Sequence, residues 1–203
     1  MTFGMSAKRL PSFPAWVCLA LLILPWPAGL AAEAPRDLAA LMTLLRQDGK
    51  VTADFTESRT LTYLTEPVVV EGQLTYSPGG RLERLTTRPK REKMTIEGRL
   101  LTIEQNPRDP PIRVLLGDHP PLQAFVEALR ALLAGDEAAL GAVFDPDYRS
   151  DGDDWRLKLT PKAAALAAEI EAIEVAGTAA GIASLEIAER NGNRSLIALR
   201  PRP

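Results

Sequence analysis

The chain has 203 residues, a net charge of −2, one histidine and one cysteine. Lysine and arginine are spread along it without a basic stripe or a basic patch interleaved with aromatic residues, which argues against a nucleic-acid partner. A single histidine cannot supply the three or four ligands of a zinc site, and a single cysteine cannot form an intramolecular disulfide.

The first 32 residues predict a secretory signal peptide. Lys8 and Arg9 precede an uncharged apolar run over residues 15–24, and prolines and small residues follow it. The run is shorter than the roughly 20 residues that cross a bilayer, and an uncleaved N-terminal anchor is the alternative. Cys18 lies inside the run, so cleavage would leave a thiol-free chain, residues 33–203, of a size that fits one domain.

The next part of the chain predicts one amphipathic helix followed by a meander of strands. Leucines recur at helical spacing from Leu38 to Leu45, and Gly49 ends the helix. Apolar and polar residues then alternate between turn signals, which is typical of an antiparallel sheet. The predicted strands are 51–63, 68–76, 81–87, 91–97, 99–105 and 112–116.

The second half of the chain predicts helices first and strands afterwards. An apolar face at helical spacing predicts a helix over 120–136, and Asp136 can cap a short helix after it. Thr160 and Pro161 suit the start of a further helical turn. The remaining predicted elements are an acidic loop at 145–154 and strands at 155–159, 170–177, 182–189 and 194–200. Segregated strands and helices predict an α+β protein with one antiparallel sheet and helices over one face.

Residues that support catalysis or metal binding are scarce. His119 precedes two prolines and is interpreted as a loop residue. Residues 147–158 resemble a calcium loop in part, but Arg149 and Lys158 stand where two oxygen ligands are needed. Acid pairs from Asp145 to Asp154 carry no specificity, so the segment is interpreted as a solvated acidic turn. We therefore expect no enzyme, no cofactor and no metal.

The apolar faces of the predicted strands and helices admit two interpretations. They fill an ordinary core, or the sheet and the helices enclose a cavity for an apolar ligand. Composition and periodicity leave both interpretations open.

The order of the segments resembles the LolA-like family of periplasmic outer-membrane lipoprotein carriers, as a divergent branch. The segments that carry the likeness, within residues 36–200, are VTADFTESR, EGQLTYSPGGRLERLTTRPKREKMTIEGRLLTIE, DDWRLKLTPK and the three terminal strands. The resemblance implies a curved antiparallel sheet that forms an incomplete, unclosed β-barrel, with helices as a lid over its apolar concave face.

The resemblance also implies which residues contact a lipid. The expected cavity residues are Phe55, Leu74, Tyr76, Leu82, Met94, Ile96, Leu101, Leu122, Phe125, Val126 and Leu129. Typical members hold the lid closed with an arginine at the end of the strand that matches EGQLTY. Here SPGG stands at that place, and Arg81, just after it, is the lid-holding candidate.

The function implied by the resemblance is periplasmic transport. Such a carrier binds lipoprotein acyl chains or a related lipid, works as a monomer, and exchanges its cargo with an inner-membrane transporter and an outer-membrane acceptor. The alternative is a lipid- or lipoprotein-sensing binding module of the envelope without a transport role.

Overall fold

The computed structural model describes residues 33–202 except residue 107. The predicted signal peptide, residues 1–32, and Cys18 within it lie outside the described residues. No helix in the described ranges 33–106 and 108–202 is long and apolar enough to span a membrane.

Four helices and eleven strands make up the described chain. The helices are α1 (Leu38–Leu45), α2 (Pro120–Ala134), α3 (Glu137–Val143) and α4 (Ala164–Ala167), with a 3₁₀ turn at Leu116–Asp118. The strands are β1 (Val51–Thr60), β2 (Val68–Ser77), β3 (Arg81–Arg88), β4 (Glu92–Glu97), β5 (Leu100–Glu104), β6 (Ile112–Leu115), β7 (Phe144–Asp151), β8 (Asp154–Pro161), β9 (Ile170–Thr178), β10 (Gly181–Glu189) and β11 (Arg194–Pro201).

All eleven strands belong to one antiparallel sheet. The strand order is β6-β5-β4-β3-β2-β1-β11-β10-β9-β8-β7, so every two paired strands are consecutive in the chain except the central pair of β1 and β11. Within the described chain, β6 and β7 form the two free edges, and the sheet is not closed into a barrel. The α+β fold class predicted from the sequence, with an unclosed sheet and helices, is confirmed.

Two predictions for the second half of the chain are wrong. The segment predicted as an acidic loop forms strand β7, which pairs with β8 from Phe144↔Pro161 to Asp151↔Asp154. Only the residues around Gly152 form a turn. The aspartates of β7 occupy alternate positions of the strand and are exposed. β8 continues through Pro161 and α4 begins at Ala164, so Thr160 and Pro161 start no helix.

Side chains of β8, β9 and the helices fill one half of the concave side. Trp155, Leu157 and Leu159 alternate along β8 and are all buried, and α1 and α3 cover them with Leu41 and Leu140. The Trp155 indole donates a hydrogen bond to the Thr178 carbonyl at 2.8 Å, which satisfies its one polar atom. This half therefore matches the first interpretation of the sequence, an ordinary core.

Gly72 on β2 allows a close approach between the sheet and a ring. A Cβ built there would overlap the Leu85 carbonyl oxygen and come within 2.9 Å of the Phe55 ring. We expect Gly72→Ala to lower the free energy of unfolding by about 1–3 kcal/mol, because overpacking forces the backbone and the ring to shift. Urea denaturation measures this loss.

Gly49→Ala is the matched control, because a Cβ at Gly49 meets nothing within 4 Å. Its expected effect stays within about 0.5 kcal/mol. Equal effects of the two substitutions would contradict the close approach at Gly72.

Candidate functional site

A cavity of about 820 Å³ lies between the concave face of the sheet and the helices. Its walls come from β1 to β6, from β9 to β11, and from α1 and α2. The volume falls within the roughly 300–1,000 Å³ of pockets that bury a small ligand. Trp155, Leu157 and Leu159 on β8 do not line the cavity, so the packed core and the cavity lie side by side on the same face of the sheet.

One row of apolar side chains crosses five strands of this wall. Tyr76 pairs with Leu82, Leu82 with Ile96, Ile96 with Leu101, and Leu101 with Val114. All five residues line the cavity. Because directly paired residues of neighbouring strands project on the same side of a sheet, the register itself makes a continuous apolar strip.

The second row of the wall contains a charge. Leu74 pairs with Arg84, Arg84 with Met94, and Met94 with Ile103, and all four residues line the cavity. Arg84 thus stands among apolar neighbours, with its side chain 19% exposed.

Helix α2 covers the cavity with one of two apolar faces. Leu122, Phe125, Val126, Leu129 and Leu133 line the cavity at helical spacing. The small residues Ala124, Ala128 and Ala131 are buried in the core of the filled half. The helix therefore acts as a shared wall between the packed core and the open cavity.

Arg130 joins the lid helix to two turns of the sheet. Its Nε donates to the Gly80 carbonyl at 2.7 Å and its Nη1 donates to the Gly98 carbonyl at 2.9 Å. Its Nη2 is buried and has no hydrogen-bond partner among the described residues. Burial lowers the pKa of Arg130, because partial removal from water disfavours the charged form.

The SPGG turn supplies one of the acceptors for Arg130. Gly79 and Gly80 have φ of 88° and 80°, a left-handed region that favours glycine. This geometry brings the Gly80 carbonyl to the lid, and the Arg130 side chain passes within 3.3 Å of the place where a Cβ on Gly80 would stand.

Glu57 organises a charged cluster at the cavity wall. It accepts hydrogen bonds from Arg59 at 2.7 and 3.2 Å, from Arg84 at 2.5 Å, and from the Ser195 hydroxyl. Burial alone would raise the pKa of Glu57, but the bonds from Arg59 and Ser195 and the charge of Arg84 more than offset it and lower the pKa to about 2. The Arg84 guanidinium lies 4.4 Å from the centre of the Phe55 ring, within the range of a cation–π contact.

The low pKa of Glu57 predicts how stability depends on pH. Because the folded-state pKa lies near 2 and the ordinary value is 4.5, the stabilisation is present above about pH 4.5 and is lost as the pH falls towards 2. We expect Glu57→Gln to remove this part of the acid-induced loss, measured as the free energy of unfolding against pH. The exposed Glu171→Gln variant is the control and should keep the slope of the unsubstituted protein.

The family that matches this sequence is described as "outer membrane lipoprotein carrier protein LolA-like", and the match covers residues 30–199. That range spans most of the 203 residues. The chain belongs to the LolA-like family. The family predicted from the sequence is therefore confirmed. A search of curated proteins gives no significant match.

Three solved structures are similar to this chain at low sequence identity. A LolA superfamily protein from Nitrosomonas europaea has 10% identity and a TM-score of 0.45, with 82% of this chain and 91% of that chain covered. An outer membrane lipoprotein-sorting protein domain from Vibrio parahaemolyticus has 10% identity and a TM-score of 0.41, with 81% and 90% covered. The Mycobacterium tuberculosis lipoprotein LppX has 10% identity and a TM-score of 0.42, with 79% and 93% covered.

Ten of the eleven cavity residues expected from the sequence line the cavity of this LolA-like chain. They are Leu74, Tyr76, Leu82, Met94, Ile96, Leu101, Leu122, Phe125, Val126 and Leu129. Phe55 does not line the cavity, because its ring is buried against Gly72 beneath the Arg84 guanidinium. Whether the ten residues touch a lipid stays a prediction.

Arg81 makes no side-chain hydrogen bond to the lid helix among the described residues. Its hydrogen bonds among the described residues go to Glu83 at 2.8 Å and Glu97 at 3.3 Å, both on strands. The arginine that joins the lid to the sheet is Arg130, which lies on α2 and donates to the Gly80 carbonyl. Because side chains alternate along β3, Arg81 projects on the opposite face of the sheet from Leu82 and Arg84.

Two groups of cavity residues escaped sequence reasoning. The apolar ones include Ile103, Val114, Ile187, Ile197 and Leu199, several of them on the C-terminal strands. Alternation in the sequence predicted the C-terminal strands, but it did not predict that β11 pairs with β1. The charged cavity residues include Glu57 and Arg84, and no pattern in the neighbouring sequence links these two.

Metal-binding groups do not assemble in the described part of this LolA-like chain. Residues 33–106 and 108–202 bring together no cluster of three or more histidine, cysteine, aspartate or glutamate side chains that could hold a metal ion. His119 lies at the start of α2, makes no side-chain capping bond, and is exposed at the edge of the cavity.

Proposed function

We propose that this LolA-like protein is a periplasmic carrier that binds lipoprotein acyl chains or a related lipid and moves them towards the outer membrane. The observation that carries the proposal is the apolar cavity of about 820 Å³ beneath α2. Each methylene removed from water contributes about 0.8 kcal/mol, so a long acyl chain needs an enclosed apolar site to cross an aqueous compartment.

The lid is consistent with loading and release. Movement of α2 would widen access to the cavity, and lids of this kind open by changes at a few hinge residues. The polar contacts that hold α2 over the cavity are few, and Arg130 makes two of them to turn carbonyls. A carrier of this design needs no catalytic group, which agrees with the expectation that the protein is not an enzyme.

Binding is tested with a fluorescent acyl probe. Protein purified from the periplasm should bind the probe saturably, and an excess of unlabelled fatty acid should displace it. A flat titration with protein that is folded by circular dichroism would overturn the proposal. The intact mass of the same sample shows whether cleavage occurs near residue 32, as the sequence predicts.

Transport is tested separately from binding. Donor vesicles with a labelled lipidated peptide and unlabelled acceptor vesicles should exchange the label faster when the protein is present, in proportion to its concentration. Saturable binding without accelerated transfer would favour the alternative, a sensing module of the envelope.

A further inference from the structure

Arg84 is the one basic side chain in the two central rows of the cavity wall described above. Its Nη2 donates to Glu57 at 2.5 Å, and this is its one hydrogen bond among the described residues. Its contact with Phe55 places Cζ over the ring, 4.4 Å from the ring centre, and is not a hydrogen bond. The guanidinium therefore keeps donors beyond those that Glu57 uses, beside a cavity lined mainly by apolar residues.

The cluster around Arg84 contains one more cationic than anionic side chain. Arg59 and Arg84 both bind the single carboxylate of Glu57, and all three side chains line the cavity. The pKa of Glu57 near 2 keeps that carboxylate ionised at neutral pH, so the three groups carry a net charge of about +1. Burying a charge without a counter-ion costs free energy. A ligand with an anionic group would supply that counter-ion and would bind more tightly as a result.

Two other carboxylates line the cavity and are engaged elsewhere. Glu83 pairs with Arg81 at 2.7 Å and with Lys93 at 3.9 Å. Glu189 accepts from the Asn191 amide at 2.9 Å and from the Asn193 amide at 3.2 Å. Neither forms an ion pair with Arg84 or Arg59 in the described chain, so neither supplies the missing counter-charge by contact.

We propose that the cavity selects an amphiphile with an anionic headgroup, whose carboxylate or phosphate oxygens bind Arg84 and Arg59. The tail lies along the apolar row from Tyr76 to Val114, adjacent to the row that holds Arg84. Guanidinium groups suit this role because their N–H donors match carboxylate and phosphate oxygens in pairs. Glu57 is the positioning residue, since its carboxylate holds the two guanidiniums together. The proposal rests on the proposed function, because the tail uses the same cavity.

The test compares ligands that share a tail and differ in headgroup. Dodecanoate, dodecyl phosphate, dodecanol and dodecyltrimethylammonium compete, below their micelle concentrations, for a fluorescent acyl probe on the periplasmic protein. We expect the two anions to bind about 10-fold more tightly than dodecanol, because charge-assisted hydrogen bonds are about twice as strong as neutral ones. The cation should bind less tightly than dodecanol.

Variants assign the preference to the cluster. Arg84→Met should remove most of the anionic advantage, measured in the same variant as the ratio of the dodecanoate affinity to the dodecanol affinity. Arg59→Met, at a side chain that is 46% exposed, is the second variant in case Arg84→Met unfolds the protein, and it should reduce the advantage in part. Arg156→Met, at an exposed position of β8, is the matched control and should keep the full preference.

The outcomes separate this inference from the function beneath it. Equal affinity for all four headgroups, or an anionic preference that survives in both variants, would overturn the inference and leave lipid binding intact. Failure of every amphiphile, dodecanol included, would overturn lipid binding and the inference together. Inorganic phosphate that competes as well as dodecyl phosphate would show an ion site without a role for the tail, which also overturns the inference.

Discussion

Replacing Ile96 by glutamate should abolish uptake of an acyl probe while the protein stays folded. Ile96 lies in the middle of the apolar row, paired with Leu82 on one side and Leu101 on the other, and lines the cavity. In the empty cavity water can solvate the new carboxyl group, so folding tolerates it. A bound acyl chain would displace that water, and burying a carboxylate in the apolar row costs several kcal/mol, of which a diagonal contact with Arg84 would offset only a part. We expect probe affinity to fall by at least about 100-fold, which is about 2.7 kcal/mol.

Val69→Glu provides the matched control for this prediction. Val69 is also β-branched and lies on the sheet, but its side chain is 52% exposed and does not line the cavity. Probe affinity of this variant should equal that of the unsubstituted protein, and circular dichroism should show both variants folded. Undiminished binding by a folded Ile96→Glu variant would mean that the acyl chain does not occupy this cavity.

Replacing Arg130 by methionine should loosen the lid. The substitution keeps an apolar stem and removes the two hydrogen bonds to Gly80 and Gly98. A hydrogen bond from a charged donor contributes about 1.5–3 kcal/mol, but the cost of burying the guanidinium with one unpaired nitrogen offsets part of it. We expect amide hydrogen exchange in α2 to become about 10-fold faster, with a parallel rise in the rate of probe uptake.

Arg81→Met is the informative comparison for Arg130→Met. Arg81 was the lid-holding candidate from the sequence, yet its hydrogen bonds in the described chain go to Glu83 and Glu97. It should therefore leave exchange in α2 unchanged. Faster exchange in α2 of Arg81→Met, together with unchanged exchange in Arg130→Met, would mean that Arg81 and not Arg130 holds the lid.

Sequence periodicity is informative where a feature depends on residues close in the chain. Alternation from Leu74 to Leu101 predicted which side chains share a face, and the six expected residues of that stretch line one cavity, while their contact with a lipid stays a prediction. Phe55 has the parity of a cavity residue, but it packs against Gly72 because a glycine lies directly opposite on β2. β7 escaped prediction because its aspartates and Pro146 are typical of loops, while its pairing with β8 supplies the hydrogen bonds of a strand.

The charged groups of the site were beyond the reach of periodicity. Arg130 meets Gly80 across 50 residues of sequence, and Ser195 meets Glu57 across 138. Neither pair shows a local pattern, since a charged residue on a strand or a helix usually faces solvent. Proximity in sequence to the SPGG turn favoured Arg81, whereas the arginine that binds this turn lies on α2.

The sequence by itself determined the strands and their faces in the first half, the glycine turns, the lid helix and the family. These follow from a two-residue or 3.6-residue period and from backbone preferences that act over a few residues. Only the tertiary structure decided that β11 pairs with β1, that Arg130 reaches the SPGG turn, and that Arg84 and Arg59 share Glu57. The period of a strand states which way a side chain points, but its neighbour across the sheet depends on how distant segments pack.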